Sequence, residues 1–140
     1  MIQLESTLKK RLFELKTYPI DILLVEDNEL MRGTIPDAFK AIFPEASVKC
    51  LENFADDKFE IAVTDSKPQV VLLDGNLDKW PPHPLYGTFG PNLIPFIKET
   101  SPETIIISIS LHSANNDLAL ERGAHLGIRK DKLTELIGAF

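Results

Sequence analysis

The sequence has very little cysteine: Cys50 is the only one among 140 residues. A single cysteine excludes an internal disulfide framework and a cluster of thiolate metal ligands, and an isolated thiol is typical of a buried structural position. The sequence also has no apolar run near the roughly 20 residues that a membrane-spanning helix needs. Its N-terminus mixes acidic and basic residues, unlike a signal peptide. We therefore expect a cytoplasmic protein that makes no contact with a membrane.

Basic residues are scarce as well: the sequence has 15 Lys and Arg residues against 21 Asp and Glu residues, which gives a net charge of −6. A protein that binds a phosphate backbone needs a basic face, so we expect no nucleic-acid partner. The hydrophobic content of 44% and the charged content of 26% are ordinary for a globular protein. A chain of this length is sufficient for one domain with a substantial core.

Apolar segments alternate with helical patterns along the chain. The predicted strands cover residues 20–25, 47–51, 69–74, 104–111 and 126–129, and the predicted helices cover residues 28–43, 54–66, 92–99, 114–122 and 132–138. Strands that alternate with helices through short connections form parallel sheets covered on both faces. The sequence therefore predicts an α/β fold built on a doubly wound, five-stranded parallel sheet.

Two segments depart from this alternation. Residues 77–92 contain four prolines and two glycines, which predicts an irregular insert rich in proline and aromatic residues. The helix predicted over residues 28–43, with Asn28 as its N-cap, contains Gly33 and Pro36. Because a proline inside a helix costs about 3 kcal/mol, we expect this helix to be kinked or to start late.

An additional amphipathic helix is predicted over residues 3–17, before the first strand. Its leucines at positions 4, 8, 12 and 15 form one stripe, as on the apolar face of a helix. We divide the chain into this N-terminal helix, residues 1–18, and a domain of residues 19–140. The leucine stripe either covers the domain itself or pairs with a second copy in a homodimer.

Acidic side chains follow two of the predicted strands. Glu26 and Asp27 come directly after ILLV, and Asp74 comes directly after VVLL. Parallel sheets bind ligands at the carboxyl ends of their strands, and carboxylates held together there repel one another unless a cation is bound. Oxygen ligands suit Mg²⁺, and a carboxylate beside Mg²⁺ can attack phosphorus and form an aspartyl phosphate. Lys130 would then supply a positive charge, and Ser110 a hydrogen bond.

At these positions the sequence resembles the receiver domain of two-component response regulators, over about residues 20–139. The matching motifs are the acidic pair after ILLV, the aspartate after VVLL, the serine after IIISI and the lysine that ends the fifth strand. The resemblance implies a flavodoxin-like sheet with strand order 2-1-3-4-5. It also implies that the protein signals through a downstream protein partner.

The resemblance assigns a role to each site residue. It implies that Asp74 accepts a phosphoryl group from a histidine kinase or a histidine phosphotransfer protein, and that Ser110 and Lys130 assist. It implies that Mg²⁺ binds Glu26, Asp27, Asp74 and the backbone carbonyl of Asn76. Such a chain would at most catalyse its own phosphorylation and dephosphorylation.

Three positions depart from the pattern of that family. Gly127 stands where receivers carry an aromatic residue whose rotation couples phosphorylation to output. Leu111 is bulky where a small residue is usual, and we expect it to narrow the access to the site. Asp131 stands where a proline commonly follows the lysine, and we expect this to shift the loop that holds Lys130.

Two features near the predicted site have two interpretations each. His112, two residues after Ser110, either tunes the hydrolysis of the phosphoaspartate or only caps the following helix. Trp80, Tyr86 and Phe89 in the insert either form an exposed surface for a partner or pack back on the domain and anchor the insert.

Two other functions remain open from the sequence. A phosphatase of the haloacid-dehalogenase type also has an aspartate nucleophile at the end of a strand, although here Asn76 replaces its second aspartate, the general acid. Alternatively, the chain is a pseudo-receiver, a binding module that keeps the fold but is not phosphorylated, which Gly127 and Leu111 favour. A receiver that fills the chain leaves no room for an output domain, so we expect it to act by binding a partner.

Overall fold

The computed structural model describes residues 3–15, 19–54, 57–77, 82–133 and 135–136. Five strands of these residues form one parallel sheet: β1 (Asp21–Val25), β2 (Ser47–Leu51), β3 (Val70–Asp74), β4 (Ile105–Ile109) and β5 (Leu126–Ile128). The strand order is β2-β1-β3-β4-β5. This order confirms the predicted doubly wound, flavodoxin-like fold.

The helices lie on both faces of the sheet. They are α1 (Ser6–Leu15), α2 (Glu29–Ile42), α3 (Lys58–Ser66), α4 (Ile94–Thr100) and α5 (Ser113–Glu121), with short 3-10 turns at Gly90–Leu93 and Lys130–Lys132. Residues 133, 135 and 136 are also helical. The helix was predicted over residues 132–138, of which residues 134, 137 and 138 lie outside the described residues. None of the described helices has the combination of length and apolar character that a membrane crossing requires.

Two apolar clusters fill the space between the sheet and the helices. Helices α1 and α2 contribute to the cluster on one face, and α3, α4 and α5 to the cluster on the other. Every residue of β3 and β4 is buried, as expected for central strands of a parallel sheet that is covered on both sides. This packing fixes the strand ends at which the acidic residues lie.

Helix α1 packs on the domain through its leucine stripe. Leu8 and Leu12 are buried in the same cluster as Ile105 and Ile128. The first interpretation of the stripe is therefore confirmed for these two leucines. A homodimer through the same stripe would require α1 to leave the sheet.

Helix α2 begins directly after its predicted cap. The side chain of Asn28 accepts a hydrogen bond from the backbone N–H of Met31 at 3.0 Å, and the helix starts at the next residue, so the late start is wrong. Pro36 lies inside the helix and has no N–H for the carbonyl of Arg32. The thiol of Cys50 donates to that carbonyl instead, at 3.8 Å.

Cys50 is exposed, so the prediction of a buried thiol is wrong. The physical reason is that β2 is an edge strand, in which only Leu51 is fully buried.

Candidate phosphoryl and metal site

Three carboxylates meet at the carboxyl edge of the sheet. Glu26 and Asp27 follow β1, and Asp74 ends β3, which pairs with β1 in parallel register. Each of the three side chains offers an oxygen, and these oxygens lie within 4.8 Å of one another. Glu26 is 0% exposed and Asp74 4% exposed, while Asp27 is half-buried. The structure therefore brings together the acidic side chains that the sequence singled out.

The ammonium group of Lys130 lies among these carboxylates. Its Nζ is 2.8 Å from Oε1 of Glu26 and 3.2 Å from Oδ2 of Asp74. The lysine comes shortly after β5, the edge strand next to β4. It therefore approaches the acids from that edge of the sheet. It reaches both although Asp131 follows it in place of a proline.

The surroundings of Asp74 disfavour its charged form. Burial and the neighbouring charge of Glu26 raise the pKa of Asp74 to about 7, although Lys130 acts in the opposite direction. Burial lowers the pKa of Lys130, but its hydrogen bond to Glu26 and the charges of both acids outweigh this effect. The pKa of the lysine is raised as a result.

One oxygen of the cluster receives no hydrogen bond from the described residues. Oε1 of Glu26 accepts hydrogen bonds from Lys130 at 2.8 Å and from the N–H of Asn28 at 3.2 Å. Oε2 of Glu26 is buried, and no described residue gives it a hydrogen bond. A buried carboxylate oxygen without a partner is costly. An oxygen-only donor set with an unsatisfied anionic atom fits a hard divalent cation such as Mg²⁺.

Ser110 lies beside the residue that follows Asp74. The serine is buried at the end of β4, and a methyl group at Gly75 would lie only 2.9 Å from its Oγ. Its hydroxyl accepts hydrogen bonds from the N–H of His112 at 3.1 Å and from Nδ2 of Asn115 at 3.4 Å. The structure thus places this hydroxyl next to the backbone that follows Asp74.

The loop after Asp74 is bound by a returning segment, residues 82–90, which we call the strap. The N–H of Leu77 donates to the carbonyl of Thr88 at 2.8 Å, and the N–H of Gly90 donates to the carbonyl of Gly75 at 3.0 Å. Asn76 is the bridge residue between these two bonds. In such an antiparallel pair, the N–H and C=O of the bridge residue point away from the partner strand. The carbonyl of Asn76, a predicted Mg²⁺ ligand, therefore points away from the strap.

Comparisons with known proteins give structural matches only. No protein-family model and no curated protein sequence matches the chain. A response regulator from Burkholderia pseudomallei, solved with a phosphorylated aspartic acid, a calcium ion and citrate, is 20% identical with a TM-score of 0.68, and the match covers 86% of this chain and 65% of that protein. This chain thus spans slightly less than two thirds of that relative.

Two isolated domains match over nearly their full length. The signal receiver domain of a DNA-binding response regulator (merR) from Colwellia psychrerythraea 34H is 24% identical with a TM-score of 0.66, and 85% of this chain and 93% of that one are covered. The BeF3-activated receiver domain of DrrB is 20% identical with a TM-score of 0.61, and the covered shares are 86% and 96%. The chain has the fold of a response regulator receiver domain.

Gly127 stands where receiver domains were expected to carry an aromatic residue, and the structure shows what fills the space that such a side chain would occupy. A methyl group at Gly127 would lie 2.9 Å from Cβ and 3.2 Å from the carbonyl oxygen of Asn116. Helix α5 therefore occupies the space beside β5 that a larger side chain would need. Asn116 is 5% exposed; it accepts from the hydroxyl of Ser108 at 2.8 Å and donates to the carbonyl of Ser110 at 3.1 Å.

Leu111 and His112 lie on the surface of the receiver fold, after β4. Leu111 is exposed. His112 is also exposed; it occupies the N-cap position of α5, but its side chain makes no capping hydrogen bond. The effects of both residues on phosphoryl entry and hydrolysis stay predictions.

The described aromatic residues of the insert pack against the receiver fold. Tyr86 stacks on His83 with ring centroids 4.6 Å apart and lies 6.3 Å from the ring of Phe96 in α4. Arg122 lies over the ring of Phe89 at 5.9 Å. Tyr86 and Phe89 thus follow the anchoring interpretation, whereas Trp80 lies outside the described residues.

Several contacts of the site were missed by the sequence analysis. Asn115, Asn116 and Gly90 were assigned no role, although the two asparagines donate hydrogen bonds to Ser110 and Gly90 lies against the backbone of Asp74. The pair of asparagines at the start of α5 was the available signal, because asparagine side chains near helix starts and turns hydrogen-bond to neighbouring groups.

Proposed function

We propose that this chain is a phosphorylatable receiver that takes a phosphoryl group from the phosphohistidine of a histidine kinase or phosphotransfer protein onto Asp74. The observation that supports it most is the convergence of the carboxylates of Glu26, Asp27 and Asp74. Lys130 contacts the first and the last of them, and no described residue gives a hydrogen bond to one buried oxygen of Glu26. Such a cluster of carboxylates is costly to maintain without a bound cation. The match to receiver domains, one of them with a phosphorylated aspartic acid, agrees with this proposal.

Asp74 is the nucleophile in this proposal. One of its carboxylate oxygens attacks the phosphorus, the bond from phosphorus to the histidine nitrogen breaks, and the imidazole keeps the electron pair and takes up a proton. Lys130, 3.2 Å from Oδ2 of Asp74, then lies where it can pair with the phosphoryl oxygens. Ser110 donates its hydroxyl hydrogen to another of these oxygens. Attack by water on phosphorus later releases inorganic phosphate and restores Asp74.

Mg²⁺ would be held by the carboxylates of Glu26, Asp27 and Asp74 and by the carbonyl of Asn76. When bound, it supplies positive charge that offsets the carboxylates and the phosphoryl oxygens. The phosphorylated state would act through a downstream protein partner. We also propose that the N-terminal helix and residues 19–140 work as one unit, because Leu8 and Leu12 are buried on the sheet.

Intact-mass measurement after incubation with Mg²⁺ and phosphoramidate, a small phosphoryl donor, tests the proposal. We expect an adduct with the mass of one phosphoryl group, which disappears in Asp74→Asn and when a chelator removes the metal. The matched control is Asp65→Asn, which changes an exposed carboxylate of α3 and should leave the adduct intact.

The intact-mass measurement, together with an assay for phosphate release, separates the two rival functions. Rapid release of phosphate from a generic phosphomonoester would instead support the phosphatase. Persistent absence of both adduct and turnover, in protein that is folded and binds Mg²⁺, would support the pseudo-receiver and overturn the proposal.

A further inference from the structure

The hydroxyl group of Ser110 receives two hydrogen bonds from the beginning of α5. The donors are the backbone N–H of His112, at 3.1 Å, and the side-chain amide of Asn115, at 3.4 Å. A hydroxyl oxygen has two lone pairs and one hydrogen. Because both lone pairs accept, the hydrogen of Ser110 points away from α5 and is left for another acceptor.

The position of Gly75 shows where this hydroxyl lies. A methyl group at Gly75, the residue after Asp74, would lie 2.9 Å from Oγ of Ser110 and 3.0 Å from both Cβ and Nδ2 of Asn115. The hydroxyl of Ser110 and the amide of Asn115 therefore both lie against Gly75. Only glycine at position 75 leaves room for this arrangement.

Two neighbouring contacts fix the helix that carries Asn115. The amide of Asn116 bridges the hydroxyl of Ser108 and the carbonyl of Ser110, so the first turn of α5 is bonded to β4 at two points. Gly127 lets the backbone of α5 come close to β5. Helix α5 is thus held at a position from which Asn115 reaches the hydroxyl of Ser110.

We infer that Asn115 is a positioning residue of the phosphoryl site, which orients the hydroxyl of Ser110 as a donor toward the phosphoryl group on Asp74. The inference rests on the proposed function of Asp74. Asn115 itself takes no proton and touches no reacting atom in this role. Its amide occupies one lone pair of Ser110, so that the serine cannot turn its hydrogen toward α5.

The test compares the rate at which the phosphoryl adduct forms with phosphoramidate and Mg²⁺ in five proteins. These are the wild type, Asn115→Ala, Asn115→Asp, Ser110→Ala and the double variant Ser110→Ala/Asn115→Ala. We expect Asn115→Ala to slow adduct formation about threefold to tenfold, the range for one positioning hydrogen bond. Asn115→Asp should slow it more, because a carboxylate would accept the serine's hydrogen and reverse its direction.

The double variant shows whether Asn115 acts through Ser110. In the Ser110→Ala background, removal of Asn115 should change the rate by less than about a factor of two. Asp117→Ala, on the exposed side of the same helix, is the control and should keep the wild-type rate. Thermal unfolding of each variant, measured in parallel, ensures that all rates are those of folded protein.

Different outcomes overturn different statements. If the wild type forms the adduct and Asn115→Ala does so equally fast, the positioning role is wrong. It is equally wrong if removal of the Asn115 side chain slows adduct formation as much in the Ser110→Ala background as in the wild type. If the folded wild type forms no adduct, the proposed function fails first, and this inference fails with it.

Discussion

At Asp74, burial and the adjacent carboxylate of Glu26 oppose ionisation. The pKa is raised from 3.8 to about 7, so the folded protein holds a proton that the unfolded chain releases at lower pH. Well below pH 3.8 both states are protonated, and Asp74 contributes no pH dependence. Between about pH 4 and 7 the folded state binds more protons, so its stability falls as the pH rises.

We therefore predict that Asp74→Asn stabilises the metal-free protein at neutral pH. The asparagine cannot ionise, so the unfavourable buried charge is removed. The expected gain is about 2 to 4 kcal/mol in the free energy of unfolding at pH 7.5 and much less at pH 4. Denaturant unfolding in the presence of a chelator measures it. A gain that stays constant between the two pH values would contradict the raised pKa.

Local sequence was sufficient to identify the acids and the lysine, but not their environment. Glu26, Asp74 and Lys130 each follow an apolar segment, and that pattern is visible without coordinates. The unpartnered Oε2 of Glu26 depends on how Lys130 and Asn28 approach the same carboxylate. No sequence spacing encodes such an approach between segments more than a hundred residues apart.

Among the elements, the strap of residues 82–90 bears most directly on the site. It pairs with the loop after Asp74 on both sides of Asn76. At its end, a methyl group at Gly90 would lie 1.8 Å from the carbonyl oxygen of Asp74. The other end is held by His83, whose Nε2 lies 3.1 Å from Oε1 of Glu60 in α3.

Gly90→Ala should separate the strap from the site. The added methyl group cannot fit against the backbone of Asp74, so the strap must move and release the backbone that presents the carbonyl of Asn76. We predict weaker Mg²⁺ binding by isothermal titration calorimetry, together with a lower melting temperature.

Gly33→Ala is the matched control for this change. Gly33 lies exposed inside α2 with no atom within 4 Å of the added methyl group, so alanine should stabilise the helix by about 0.5–1 kcal/mol. Mg²⁺ binding should be unchanged in this variant. An unchanged Mg²⁺ affinity in Gly90→Ala would show that the strap does not position the ligands.

The sequence predicted that residues 77–92 form an irregular insert, because prolines and glycines interrupt regular structure. It did not predict that part of the insert returns and pairs with residues 75–77. That pairing joins residues more than ten positions apart, and it depends on the path of the chain between β3 and α4, which no local pattern encodes.

On the scale of the whole molecule, α1 completes one face of the sheet. Leu12 is 1% exposed and lies in the cluster that also contains residues of β4 and β5. The helix precedes the sheet in the chain, yet its apolar stripe is buried with the central strands. We infer that α1 and the sheet unfold in one cooperative transition.

Leu12→Ala tests whether α1 and the sheet unfold in one cooperative transition. The loss of a fully buried leucine side chain should cost about 2 to 5 kcal/mol and lower the midpoint of a single transition that includes the sheet. Leu30→Ala, at an exposed position of α2, is the matched control and should change stability by less than about 0.5 kcal/mol. Circular dichroism and the fluorescence of the single tryptophan follow the transition. If Leu12→Ala unfolds α1 alone and leaves the main transition unchanged, the two parts are independent.

The sequence by itself determined the alternation of strands and helices, and with it the edge at which the acids lie. It did so because apolar periodicity and chain direction are local properties, and all strands of a parallel sheet end at one edge. The tertiary structure alone decided that Cys50 is exposed, that α5 fills the space beside Gly127, and that Asn115 reaches Ser110. These contacts depend on the distances between packed elements, which are set by the volumes of side chains far apart in the chain.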